Sequence, residues 1–230
     1  PNHLRVFGSF QNYCYFAIKD QKMKVRALLL LTMFLMLWSG LSAQLRWVSY
    51  GSPNQINAVC EEGNYVWIGT NLGLFKRHKS GTLIASYSQE NSGLSNNTVK
   101  ALALDFNNKL WIGTAHGLVC YNTVANTWET YTSENSGLPG NDITAIAIDG
   151  NGIKWVGVAP VYDLINELFS GGGIVKYDNT TWTLFDDTNT PMTSNYITSI
   201  AIDGEDVKWI ATTASWDGIG GGLLRYDDAS

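Results

Sequence analysis

From about residue 56 onward the chain is a succession of short apolar runs, separated by glycine, asparagine and aspartate. Runs of five or six residues between such turn formers predict β-strands. One stretch shows the pattern in full. Ile143 to Ile148 alternates small and branched residues, and Asp149-Gly150-Asn151-Gly152 supplies a hairpin turn. Lys154 to Val158 returns as a second strand, Gly173 to Tyr177 forms a third, and Thr181 to Phe185 forms an outer fourth. The preceding stretch predicts strands at 99–104, 110–114, 117–121 and 127–131, and the first predicts 56–60, 66–70, 73–77 and 83–87. The last stretch reaches its third strand at 222–226.

These stretches are copies of one unit. Trp67-Ile68-Gly69-Thr70, Trp111-Ile112-Gly113-Thr114, Trp155-Val156-Gly157-Val158 and Trp209-Ile210-Ala211-Thr212 recur at intervals of about 44, 44 and 54 residues. A period of this size with one aromatic strand phrase per unit is the signature of a repeat array. Each first strand carries small residues such as Ala101, Ala103, Ala145 and Ala147, which suits a crowded axis. Each second strand sets a large ring beside a vacancy, so neighbouring sheets can interlock. A four-stranded sheet with two apolar faces must be covered by its neighbours. The expectation is therefore an all-β β-propeller of four-stranded blades, with about four blades visible: 55–98, 99–142, 143–196 and 197–230. Arg46-Trp47-Val48-Ser49-Tyr50 repeats the outer-strand phrase ahead of the first unit, which predicts an N-terminal strand for ring closure. The fourth unit stops before its outer strand, so the ring is expected to be C-terminally incomplete, with a partial propeller over 44–230.

Charge and the N-terminus narrow the setting. The formal charge is −5, and residues 1–43 hold five of the fifteen Lys and Arg but one of the twenty acids. The acidic remainder argues against nucleic acid or an anionic membrane as partner. Met23-Lys24-Val25-Arg26, an apolar run from Ala27 to Trp38 and the small-residue exit Ser39 to Ala43 read as a signal peptide over 23–43. The run is short of the roughly 20 residues that span a bilayer. Residues 1–22 precede Met23 and are left unassigned, as upstream translated sequence. A periplasmic, secreted or cell-surface protein is expected, with no membrane insertion of the propeller. Of three cysteines, Cys14 lies in the unassigned stretch, Cys60 is expected to be small and buried, and Cys120 is expected to be exposed, because it aligns with Lys76, Lys176 and Arg225. No disulfide is expected.

The units resemble the two-component regulator propeller repeat. Asn97, Asp105, Trp111-Ile112-Gly113-Thr114, Gly117-Leu118 and Tyr121-Asn122 carry the resemblance in one unit, and Asn141, Asp149, Trp155 and Tyr177-Asp178 in the next. It covers about 45–230. The resemblance implies an extracytoplasmic propeller of the kind found as the periplasmic sensor part of hybrid histidine kinases, recognising glycans in Bacteroidetes-like bacteria. Similar repeats also occur in secreted proteins without a kinase, and Lys154-Trp155, Lys208-Trp209 and the Asn-Ser-Gly-Leu linkers at 91–94 and 135–138 resemble that group.

Function is expected where the period swells. Loops between strands two and three share a face with the blade-to-blade linkers, and the excursions 159–172 and 213–221 lie among them. Tyr162, Phe169 and Trp216 are candidates to stack on sugar rings, with Asp163, Glu167 and Asp217 accepting hydroxyl hydrogen bonds. The same aromatics can instead anchor their own loops, Phe169 above all. His116 is the one histidine near that face. Leu94, Leu138 and Met192 are expected to plug between blades, and Asn97, Asn141 and Asn195 to organise turns. Trp67, Trp111, Trp155, Trp209, Gly69, Gly113 and Gly157 read as structural. The acids of 149–152 and 203–206 lack the ligand series of a calcium loop, so neither a metal nor a cofactor is expected. No Ser/His/Asp grouping, HExxH or nucleotide loop is present. The functional expectation is a non-catalytic sensing propeller for a glycan or peptide ligand, with a kinase or sorting domain downstream. The alternatives are a structural or adhesive surface protein and, behind it, a propeller polysaccharide lyase or hydrolase.

Overall fold

Every strand foreseen between residues 56 and 226 forms, with ends shifted by two residues at most. The computed structural model describes residues 49, 55–165, 167–214 and 220–228. The segment 23–43 read as an export signal, the unassigned residues 1–22 with Cys14, the phrase 46–50 apart from Ser49, and the candidates Trp216 and Asp217 lie outside the described residues. The described part is all-β, and among these residues no helix is long and apolar enough to cross a membrane.

Blade 1 comprises β1 (Ile56–Glu62), β2 (Tyr65–Thr70), β3 (Gly73–His78) and β4 (Leu83–Tyr87). Blade 2 comprises β5 (Val99–Leu104), β6 (Lys109–Thr114), β7 (Gly117–Asn122) and β8 (Thr127–Tyr131). Blade 3 comprises β9 (Ile143–Ile148), β10 (Lys154–Val158), β13 (Gly173–Tyr177) and β14 (Trp182–Phe185), with a separate hairpin, β11 (Val161–Asp163) and β12 (Leu168–Ser170), between its second and third strands. Blade 4 shows β15 (Ile197–Ile202), β16 (Lys208–Thr212) and β17 (Gly222–Tyr226). Each sheet is an antiparallel meander in chain order, and the first strands of successive blades pack against one another, which makes them the inner strands.

The core lies between sheets. One cluster joins blades 1 and 2 through Trp67, Leu74, Leu94 and Val99, a second joins blades 2 and 3 through Trp111, Leu138 and Ile143, and a third joins blades 3 and 4 through Trp155, Met192 and Ile197. The glycine of each Trp–Gly phrase is the socket for the next blade. A Cβ at Gly69, Gly113 or Gly157 would lie 2.5, 2.7 and 2.7 Å from a methyl of Val99, Ile143 and Ile197, the first residue of the following inner strand. Trp67, Trp111 and Trp155 are at most 1% exposed, whereas Trp209 on the outward face of blade 4 is 36% exposed.

One acid per blade ties the motif together. Asp105 takes the Trp111 indole N–H on one oxygen (3.1 Å) and the backbone N–H groups of Asn107 and Lys109 on the other. Asp149 does the same for Trp155, Asn151 and Ile153, and Asp203 for Trp209, Glu205 and Val207. In blade 1, Glu62 takes the Trp67 indole. Glu62 pairs with Lys76 of its own blade, and the next blade supplies the counter-charges of Asp105 and Asp149. Lys154 lies 4.0 Å from Asp105 and 4.9 Å from the centre of the Trp111 ring. Lys208 lies 3.7 Å from Asp149 and 5.3 Å from the Trp155 ring. Asp149, Asp206 and Asp228 form the one described trio of carboxylates close enough to hold a metal, and the Lys208 ammonium bonds within it, 2.6 Å from Asp228.

That arrangement corrects the reading of Cys120. It is buried rather than exposed, packed in the blade 2–3 core, and burial pushes its thiol up to about 11. Lys76 and Lys176 at the equivalent position hold their ammonium groups over Trp67 and Trp155. The position therefore faces the ring between blades, and the short Cys120 side chain stays in the core there with Trp111, Val156 and Val158. Cys60 is only partly buried, and both thiols are free.

Candidate functional site

Two kinds of loop meet on the face opposite the Asp turns. The linkers are built on one plan. Asn97, Asn141 and Asn195 each accept a backbone N–H eight residues upstream, at Gln89, Ser133 and Asp187 (2.9, 2.8 and 2.9 Å). Leu94, Leu138 and Met192 are buried between blades. In blades 1 and 2 the turn between the second and third strands is two residues long, and the hydroxyl of Thr70 or Thr114 closes it by donating to Gly73 or Gly117. Blade 3 has Val158 at that position, and the chain leaves the sheet to form the β11–β12 hairpin.

The hairpin stands on its own contacts. Tyr162 pairs with Phe169 across the ladder, and their rings lie 4.9 Å apart at 54°. The Asp163 carboxylate accepts the Ile165 N–H at 2.8 Å, and Glu167 takes a left-handed backbone (φ 54°). The return to the sheet runs through Gly171, Gly172 and Gly173, all at positive φ. At Gly172 a Cβ would lie 2.7 Å from the backbone nitrogen of Pro160 and 2.9 Å from the carbonyl of Asn195, so only glycine fits beneath the hairpin.

Between this hairpin, the blade 3–4 linker and the end of β16 lies a cleft of about 340 Å³. Phe169 and Gly171 form one wall and Thr213 and Ala214 another, while Asp187 and Thr193 to Tyr196 line the linker side. Asn195 holds the linker closed by donating to the Asp187 carboxylate (2.8 Å) and presenting its carbonyl to Gly173. Tyr196 presents its backbone carbonyl to Thr213. The cleft therefore joins an exposed aromatic ring, a second aromatic, a carboxylate and several small hydroxyl side chains.

Tyr162, Asp163 and Glu167 fall together on the hairpin. Tyr162 and Phe169 are both half-exposed, 45% and 49%, so each ring braces the hairpin and still shows a face to solvent. His116 is a blade away on the β6–β7 turn, where its Nδ1 meets the Asn96 amide at 3.2 Å. Sequence reasoning missed Asp187 and Tyr196. Tyr196 carried a signal, since the aligned linker positions are Thr98 and Asp142 and an aromatic there breaks the pattern.

Residues 93–116 match the model of the family described as Two component regulator propeller. No curated protein matches the chain in sequence. Solved propellers resemble it in fold. The extracellular domain of a protein described as a hybrid two component system, BT3049 from B. thetaiotaomicron, superposes with a TM-score of 0.60 at 18% identity, over 82% of this chain and 30% of that one. PorZ, a surface component of the type-IX secretion system of Porphyromonas gingivalis, gives 0.51 at 21% identity over 76% and 25%. An ancestral GH74 enzyme gives 0.54 at 19% identity over 78% and 24%. This chain thus spans about 30% of the length of the first of these and less of the others. At these identities the likeness is one of fold. With the Trp phrase, the Asp turn and the Asn-anchored linker recurring in register around the matched segment, the chain carries the two component regulator propeller repeat.

Proposed function

We propose that this chain is a non-catalytic, extracytoplasmic ligand-binding propeller whose ligand is a glycan held in the cleft between the β11–β12 hairpin and the blade 3–4 linker. The cleft itself carries the reading. A sugar presents C–H groups on its ring faces and hydroxyls around its rim, so it asks for an aromatic plane beside fixed acceptors and donors. Phe169 offers such a plane, and Asp187, Asn195 and the hydroxyls of Thr193 and Ser194 lie around it. A volume of about 340 Å³ lies at the small end of ligand pockets, which suits a short segment of a chain lying across an open surface. The candidate Tyr162 lies beside Phe169, 4.9 Å between ring centres, on the hairpin that also carries Asp163 and Glu167. The extracytoplasmic setting is supported by the apolar segment at 27–38 and by the extracellular domain among the similar folds. Coupling to a downstream kinase belongs to the same proposal. A role without catalysis fits the engagement of the titratable groups: His116 is tied to Asn96, and Asp187 to Asn195.

The test is a panel of oligosaccharides screened against the purified chain, followed by calorimetric titration of the hits. Phe169→Ala is expected to weaken binding by about tenfold, the scale of one aromatic stacking contact, while thermal stability stays close to that of the parent. A panel without a single binder, or hits indifferent to Phe169→Ala, overturns the reading.

A further inference from the structure

We infer that this cleft selects by charge: it accepts glycans that are uncharged or carry free amines and rejects sulfated and uronic-acid glycans. The inference rests on the glycan reading above and adds the class of sugar.

Three stretches supply the lining of the cleft, 160–171 from the hairpin, 186–196 from the linker, and 213–214. Together they contain no Lys, Arg or His, and they contain four carboxylates, Asp163, Glu167, Asp186 and Asp187. Asp187 is exposed and lines the cleft, and Glu167 is exposed in the hairpin turn. The bases of blades 3 and 4 do not offset them. Residues 143–228 hold four, Lys154, Lys176, Lys208 and Arg225, and each is ion-paired with a carboxylate from elsewhere in the sheets. Lys154 and Lys208 are buried at the Asp-turn ends of β10 and β16, the opposite edge from the cleft. Lys100, near the start of β5, is bonded to Asp142 at 2.5 Å.

A sulfate or carboxylate brought into this cleft would meet the Asp187 carboxylate, with Glu167 on the same hairpin as Phe169, and no Lys, Arg or His among the described lining residues to offset them. At about 7 Å in water, each such pair lowers affinity about threefold. Two or three carboxylates acting together give about ten- to thirtyfold against an anionic sugar at low salt, and screening at high salt erodes the difference. An amine on the sugar would gain by the same arithmetic. Uncharged hydroxyls lose nothing, because ionised carboxylates are good acceptors for them.

The experiment measures the purified chain against length-matched oligosaccharides of three kinds: uncharged gluco-, xylo- and chito-oligosaccharides, amine-bearing chitosan oligomers, and anionic heparin and polygalacturonate fragments. At about 50 mM salt, uncharged or amine-bearing ligands should bind at least about tenfold tighter than anionic ones. The gap should narrow severalfold by 0.5 M salt, and Asp187→Asn with Glu167→Gln should narrow it at low salt too. Anionic fragments binding as tightly as the uncharged set would overturn the charge selection while leaving the glycan reading intact. If no oligosaccharide of any kind binds, the glycan reading falls and this inference falls with it.

Discussion

Substituting Gly113 by alanine tests the socket mechanism with a single methyl group. Gly113 lies on β6 with an ordinary negative φ, so alanine brings no backbone strain. Its Cβ would sit 2.7 Å from Cγ2 of Ile143 and 3.1 Å from the Ala101 Cβ, where ordinary contact begins near 3.4 Å. Blades 2 and 3 must therefore part by several tenths of an ångström, or Ile143, fully buried, must leave its rotamer. Overpacking of this kind costs about 1–3 kcal/mol, and for a unit of this size that lowers the melting temperature by about 2–12 °C. Ile143→Ala alone opens a cavity and should cost about 2–5 kcal/mol. Because the two side chains compete for one space, the double variant should be more stable than the sum of the single losses by at least about 1 kcal/mol. Guanidinium titration followed by tryptophan fluorescence gives all the terms of the cycle. Gly204→Ala is the control, since a Cβ there meets nothing within 4 Å, and it should stay within about 0.5 kcal/mol of the parent. Strictly additive losses at 113 and 143 would refute the socket.

The buried acids and lysines give two more expectations. Asp149→Ala removes the acceptor for the Trp155 indole and for two turn N–H groups, and deprives Lys208 of a partner. It should cost about 3–5 kcal/mol, the scale of breaking a buried ion pair, whereas Asp149→Asn keeps an acceptor for the indole and should cost less. Equal denaturation midpoints for the two variants would contradict this division of labour. Stability should also depend on pH through Lys208. Its hydrogen bond holds the Asp228 carboxyl below the usual range, so the stability this group contributes is full above its unfolded value of about 3.9 and is lost as pH falls through the lower folded value. Burial pulls the Lys208 ammonium down, but hydrogen bonds to Asp228 and Asp206 more than reverse it, so its own contribution is lost only above about pH 10.4. Melting temperature against pH should fall more shallowly on the acid side for Lys208→Met than for the parent; parallel acid limbs would exclude the link.

The strands were legible because each is an apolar run bounded by turn formers, and because four copies of one phrase reinforce each other. Leu94, Leu138 and Met192 could be placed between blades for the same reason: they recur in register. What a single repeat cannot show is a contact that crosses from one repeat to the next. Cys120 looked exposed by analogy with Lys76 and Lys176, and it is buried because blade 3 packs over it, in a core cluster with Val156, Val158 and Val175. The cleft has the same character. The hairpin at 159–172 announced itself as an insertion, but its opposite wall belongs to the linker that ends in Tyr196 and to the end of β16.

The repeat nevertheless supplies the measure by which a site can be recognised. Where the rule is kept, each residue has a packing reason: Thr114 closes a two-residue turn, Gly137 lies under Trp182 with room for no Cβ, and Asp142 pairs with Lys100. At the junction of blades 3 and 4 three such positions depart together. Val158 replaces the turn-closing threonine, Pro191 stands where Gly93 and Gly137 lie against a tryptophan, and Tyr196 replaces Thr98 and Asp142. Independent drift has no reason to place these changes side by side. Around them the chain carries a glycine-only return at 171–173, an aromatic ring half open to solvent and a rim with carboxylates and no base. A scaffold needs none of these features to close its core, as the neighbouring junction of blades 2 and 3 demonstrates with Leu138, Ile143 and a plain two-residue turn in blade 2. The departures from the repeat's packing rule are therefore concentrated where its period lengthens.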